Sequence, residues 1–114
     1  MKRDMELIRK ILLAVEDGQS NSSMEGFSDD EVKYHSALAI EAGLVDGAVL
    51  RSNTEIPASI MIHKLTMAGH DFVDVIISES NWQRVKEFLK DAGKQVTIET
   101  IKAAVSHIFG FSSG

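Results

Sequence analysis

The segment 62–74 changes from the alternation of a β-strand to the spacing of a helix, and this change constrains the fold more than any other stretch of the chain. A threonine directly before a helical pattern is a typical helix N-cap. The segment therefore predicts a strand that ends at Leu65, a cap at Thr66 and a helix over residues 67–77. Phe72 belongs to the buried face of that helix, because it recurs with later apolar residues at helical intervals.

Gly69 and His70, in the first turn of this helix, are predicted to be structural. Glycine costs about 1 kcal/mol in a helix relative to alanine, so Gly69 indicates close packing against the hairpin or the first helix. A neutral imidazole at His70, and likewise at His35, can bond a backbone carbonyl. The alternative is a metal site that joins His63 and His70 to a neighbouring aspartate. Because no HExxH spacing is present, the structural role is favoured, and neither a metal nor a cofactor is predicted.

Two strands with a polar connection are predicted before this helix, and helical patterns account for most of the remaining chain. In chain order, the predicted elements are helices over residues 4–16 and 29–42, a hairpin of strands 44–50 and 60–65, and helices over 67–77, 80–92 and 98–109. Caps set several of these boundaries. Ser28 and Ser80 each have the form of a capping box, whereas Gly43 ends the second helix and Leu44 follows it as the first buried residue.

The order of helix, helix, hairpin and three helices predicts an α+β, mostly α, fold of the winged-helix-like type, in which the hairpin is the wing. One domain is expected over residues 1–94. Residues 95–114 form a helical extension that packs on the same domain or on a dimer partner. The polar loop 19–26 is expected to be the most mobile internal segment, with room for a short strand near residues 24–27. The tail 111–114 is expected to fray.

The composition and the absence of known motifs exclude several kinds of site and function. The chain has no cysteine, which excludes disulfides, cysteine-ligated metal centres and a cysteine nucleophile. No apolar run approaches the roughly 20 residues of a membrane-spanning helix, and Asp4 and Glu6 interrupt any signal peptide. We therefore expect a cytoplasmic protein without membrane contact. No phosphate-binding loop or nucleophile elbow is present, so no catalytic residues and no enzymatic activity are predicted.

Three ordered segments match a known family, namely the opening MKRDMELIRKILLAVE, the segment YHSALAIEAGLV and the segment KLTMAGHDFVD. They resemble a bacterial and phage family known only as a domain of unknown function, number twenty-five thirteen. The resemblance implies a winged-helix-like fold, a phage or prophage context and no established activity. Met67 stands where the family usually has tryptophan, and Ala39-Ile40 where its second leucine lies, which implies looser packing at both places. The signature residues with an expected structural role are Tyr34, His35, Gly43, Leu44, Leu65, Thr66, Gly69, His70 and Phe72.

Two functions are open: a regulatory module that binds DNA, or a protein-interaction or dimerisation module that does not. The layout favours DNA, since a helix and a wing can bring cations to phosphates and base edges. The net charge of −5 opposes binding to the DNA phosphates. The second helix contains four acidic residues and a single cation, Lys33, which opposes ordinary readout in the major groove. A DNA partner would therefore use several surfaces, and the candidate contact residues are Arg3, Arg9, Lys10, Lys33, Arg51 and Asn53.

Overall fold

The computed structural model describes residues 1–18 and 24–110. Within these residues the chain forms five α-helices and one two-stranded antiparallel sheet. The elements are α1 (Met5–Glu16), α2 (Asp29–Glu41), β1 (Val45–Leu50), β2 (Ser59–Leu65), α3 (Met67–Ile76), α4 (Glu79–Asp91) and α5 (Ile98–Phe109). The α+β, mostly α, class and the order of helix, helix, hairpin and three helices are confirmed. The winged-helix assignment stays a prediction.

The chain forms two compact units that divide between His70 and Asp71, within α3. Unit 1 contains α1, α2, the hairpin and the first turn of α3. Unit 2 contains the rest of α3 together with α4 and α5. The expected domain at 1–94 with an extension at 95–114 stays a prediction. Among the described helices, none combines the length and the apolar character that crossing a membrane requires.

The helices of unit 1 begin at strong caps, and their apolar faces meet. The Asp4 carboxylate accepts hydrogen bonds from the second and third amides of α1, and Ser28 forms the predicted capping box with Glu31. Such caps stabilise a helix by about 1 kcal/mol each, because they pair amides that have no partner inside the helix. The buried cluster between α1 and α2 consists of Leu7, Ile11 and Val32, with Val15, Met24 and Phe27 packed against it.

The segment between α1 and α2 is described only in part, since residues 19–23 of the predicted loop 19–26 lie outside the described residues. Met24 and Phe27 form one isolated antiparallel bridge across a two-residue turn. The short strand that was expected near residues 24–27 is thus reduced to this bridge. The expected fraying of 111–114 also falls outside the described residues.

The hairpin has an irregular register near its base. Asp46 pairs with Lys64 and Gly47 with Ile62, so His63 is an extra residue on β2. A bulge of this kind bends the strand and increases its twist. A Cβ atom at Gly47 would overlap the carbonyl oxygen of Met61, so glycine permits the close approach of the two strands after the bulge.

In unit 2, the predicted cap of α4 is wrong. Ser78, and not Ser80, is the N-cap of α4, and its hydroxyl oxygen accepts from the amide of Asn81 at 3.2 Å. The Asn81 side-chain amide donates in turn to the carbonyl of Val75 at 3.1 Å, which joins the end of α3 to the start of α4. Helix α5 begins at Thr97 and ends at Gly110, which has the left-handed φ of 75°. The largest buried side chain of this unit is Trp82.

Candidate interaction surface on the hairpin

The second and third signature segments meet at one junction in unit 1. The amide of Thr66 donates to the carbonyl of Leu44 at 3.1 Å, and the Thr66 hydroxyl donates to the carbonyl of Gly43 at 2.6 Å. The same hydroxyl oxygen accepts from the amide of Gly69 at 3.0 Å, which caps the first turn of α3. The Cα of Gly69 rests against Leu44, and a Cβ there would overlap the Leu44 carbonyl oxygen. The junction therefore fixes the end of α2, the base of the hairpin and the start of α3.

His35 joins the second signature segment to the first. The side chain is fully buried. Its Nε2 accepts from the backbone amide of Asp4 at 2.8 Å, and its Nδ1 lies 2.7 Å from the carbonyl oxygen of Glu31. Because a carbonyl only accepts, Nδ1 carries the proton and donates to Glu31. The ring of Tyr34 packs edge-on against His35, with centroids 5.2 Å apart. Leu65 and Phe72, two further signature residues, are also buried.

The exposed histidines His63 and His70 each lie beside a carboxylate. Nδ1 of His70 lies 3.4 Å from a carboxylate oxygen of Glu16. Nδ1 of the bulge residue His63 lies 3.8 Å from a carboxylate oxygen of Asp46. Over residues 1–18 and 24–110, no group of three or more histidine and acidic side chains is close enough to hold a metal ion.

The candidate DNA contacts do not form one cationic patch. The guanidinium of Arg51 lies 2.8 Å from a Glu41 carboxylate oxygen, which offsets its charge. The Lys10 ammonium lies 5.3 Å from the ring centroid of Phe27. Two further candidates, Arg9 and Lys33, are half-buried on α1 and α2. Arg3 and Asn53 are exposed, the former in the segment before α1 and the latter in the hairpin connection.

One feature does bring part of this set together. The α-amino group of Met1 contacts the Glu55 carboxylate in the hairpin connection. Residues 1–3 therefore lie beside the connection that carries Arg51 and Asn53. The N-terminal segment that contains Arg3 thus contacts the hairpin connection through Met1, whereas Lys10 and Lys33 belong to α1 and α2.

The outer face of the hairpin contains an apolar patch, a feature that the sequence reasoning missed. The outer face carries the exposed residues Ala48, Leu50 and Met61, which form the apolar patch, and the exposed Ser59, which is paired with Leu50. Ala48 is paired directly with Met61 across the strands, and Leu50 is the diagonal neighbour of Met61. Diagonal neighbours lie about 7–8 Å apart, within reach of long side chains. The three residues therefore form one continuous surface, from which 63% of Leu50 and 60% of Met61 are accessible to solvent.

The inner face of the same strands is covered. Val49, Ile60 and Ile62 alternate with the outer residues and are half-buried. A Cβ atom added at Gly47 would lie 3.1 Å from the terminal methyl group of Ile40 on α2, so α2 covers this face. The alternation of β1 was visible in the sequence. It did not show which alternate set faces α2, because both sets contain apolar residues and the bulge at His63 changes the parity along β2.

Comparison with known proteins gives a family and a relative. The sequence model of a family described as "Hypothetical protein (DUF2513)" matches residues 2–95. An "Uncharacterized protein" from Haemophilus influenzae is 31% identical over 114 residues, and the match covers 95% of each chain. No solved structure matches this chain. The signature segments, their junctions in unit 1 and the match over most of the chain lead to one conclusion: the chain belongs to the DUF2513 family.

Proposed function

We propose that this protein is a non-enzymatic interaction module that binds a partner protein through the outer face of its hairpin. The observation that carries the proposal is the continuous apolar surface of Ala48, Leu50 and Met61. Removing apolar surface from water contributes about 25 cal/mol per Å². A partner that covers this face gains that free energy without any change in the fold of unit 1.

The chemistry of the surface suits a protein partner. Leu50 and Met61 offer large apolar contacts, and methionine adapts its unbranched chain to the shape of the group that covers it. Polar residues of the same strands border the apolar patch at Asp46 and at Ser59, and such polar margins are typical of protein interfaces. A regulatory role in a bacterial or phage setting and a cytoplasmic location belong to the same proposal.

The substitution Met61→Glu tests the proposal, because it places a charge in the centre of the outer face without altering the buried residues. We expect at least a tenfold loss of affinity for the partner, about 1.4 kcal/mol. The wild type and the variant would be immobilised, exposed to bacterial extract and compared by quantitative mass spectrometry. The partner found only with the wild type would then be purified for a direct titration.

Ile77→Glu is the matched control, since Ile77 is 55% exposed but belongs to unit 2. This control introduces the same charge and should retain the partner. The proposal fails if Met61→Glu retains every protein that the wild type binds. Sedimentation of the purified wild type over a range of concentrations identifies the case in which the partner is a second copy.

DNA binding is the second candidate, and the contact between the N-terminal residue Met1 and Glu55 of the hairpin connection favours it, because both segments carry candidate cations. The Arg51–Glu41 ion pair and the acidic first turn of α2 weaken it. Since phosphate contacts release counterions, real binding would fall steeply with salt. We expect no saturable binding of a mixed-sequence duplex at about 50 mM salt. Tight binding that weakens with salt and is lost in an Arg3→Ala, Arg51→Ala double variant would establish the DNA function instead.

A further inference from the structure

A shallow open groove lies between α4 and α5 in unit 2. Its lining residues are Arg84, Glu87, Phe88, Asp91, His107 and Ile108. The residues from α4 are spaced three, four and seven positions apart, so they form one stripe of that helix. The groove thus combines an aromatic floor with side chains of both charges along a single helix face.

Aromatic contacts build the floor of the groove. The rings of Phe88 and His107 lie 5.3 Å apart with a tilt of 31°. Phe88 is 36% exposed, so part of its ring remains open to solvent. At the end of the groove nearest the start of α4, the guanidinium of Arg84 lies 5.3 Å from the ring centroid of Phe109. This cation is therefore already placed on an aromatic face.

Two carboxylates, those of Glu87 and Asp91, line the other end of the groove. The side chains of Glu87 and Asp91 are exposed, one turn apart on α4, and make neither an ion pair nor a hydrogen bond with any residue that the structure describes. Asp91 is the last residue of α4, where the helix macrodipole adds further negative potential. A cation bound there meets two carboxylates, the helix end and the open face of Phe88.

We propose that the groove between α4 and α5 binds a basic segment of a partner protein, with an arginine side chain between Glu87, Asp91 and the ring of Phe88. A guanidinium stacks on an aromatic face and donates hydrogen bonds to carboxylates at the same time. Arg84, held at Phe109, repels a second cation at the opposite end and so limits how the segment can lie. The groove contains none of the hairpin residues, so this proposal stands independently of the function proposed for the hairpin.

A nuclear magnetic resonance titration with a short acetylated peptide that alternates arginine and glycine tests this inference. We expect amide shifts concentrated at residues 84–91 and 107–108 and a measurable dissociation constant. The double variant Glu87→Gln, Asp91→Asn keeps the shape of both side chains and removes both charges. It should weaken binding at least tenfold, while a peptide with glutamate in place of arginine should cause no such shifts.

A second double variant, Asp71→Asn with Glu99→Gln, removes the same charge from exposed positions outside the groove. It should bind the peptide as tightly as the wild type. Equal weakening in both double variants would show general charge attraction and overturn the proposal. Absence of shifts at the groove would also overturn it, and so would groove shifts on simple dilution, which would assign the surface to a second copy of this chain.

Discussion

Replacing Gly69 with alanine is expected to destabilise the protein by about 3 kcal/mol, the upper range for inserting a methyl group into a packed site. The added Cβ would overlap the carbonyl oxygen of Leu44, a backbone atom that cannot rotate away. The same oxygen accepts from the amide of Thr66, so moving it strains the junction that fixes the start of α3. Equilibrium unfolding in urea measures the loss.

The neighbouring substitution Ala68→Gly provides the control for this prediction. Ala68 is exposed in the same turn of α3, so its replacement changes helix propensity without altering the junction. We expect a loss of about 1 kcal/mol there. If Gly69→Ala were as stable as the wild type, or more stable, helix propensity would dominate and the packing interpretation of Gly69 would be wrong.

The junctions show which parts of the structure could be predicted from the sequence. The start of α3, with its cap at Thr66 and Gly69 in its first turn, could be predicted because helix starts follow from local residue spacing. The end of α2 could be predicted as well, because glycine is the usual residue where a helix ends in a left-handed conformation. Gly43 has the corresponding φ of 77°. The hydrogen-bond partners of these residues could not be predicted. Thr66 bonds Gly43 across 23 positions of the chain, and no periodicity reports a contact over that separation.

The cap of α4 shows the limit of local patterns. Ser78 precedes Asn81 by the same three positions by which Ser80 precedes Gln83, so the sequence offered two similar starts. The hydrogen bond from the Asn81 side chain to the carbonyl of Val75 favours the start at Ser78, because it requires the turn at Ser78 to lie against the end of α3. Competition between equivalent caps is decided by such contacts outside the helix.

The candidate surfaces were less predictable than the fold. Cationic residues could be named from the sequence, but the Arg51–Glu41 ion pair depends on α2 lying beside the hairpin. The apolar outer face depends on the register of β1 and β2, which the extra residue His63 alters. The groove of unit 2 combines residues of α4 and α5, which share a surface only after the two helices pack. Each of these features follows from tertiary placement and not from composition.

His35→Phe is expected to cost about 2–3 kcal/mol of stability, because it keeps an aromatic ring in the core but leaves the amide of Asp4 without an acceptor. That amide belongs to the residue that caps α1, so its loss loosens the attachment of α1 to α2. Two measurements report this: the free energy of unfolding, and the hydrogen-exchange protection of the Asp4 amide.

His35→Gln separates the hydrogen bond from the packing. A glutamine side-chain oxygen can occupy a position near that of Nε2 and accept from Asp4, while the ring and its edge contact with Tyr34 are lost. We therefore expect the glutamine variant to retain protection of the Asp4 amide that the phenylalanine variant loses. If both variants protect this amide equally, the bond from Asp4 does not hold α1 in place, and His35 contributes through its buried ring alone.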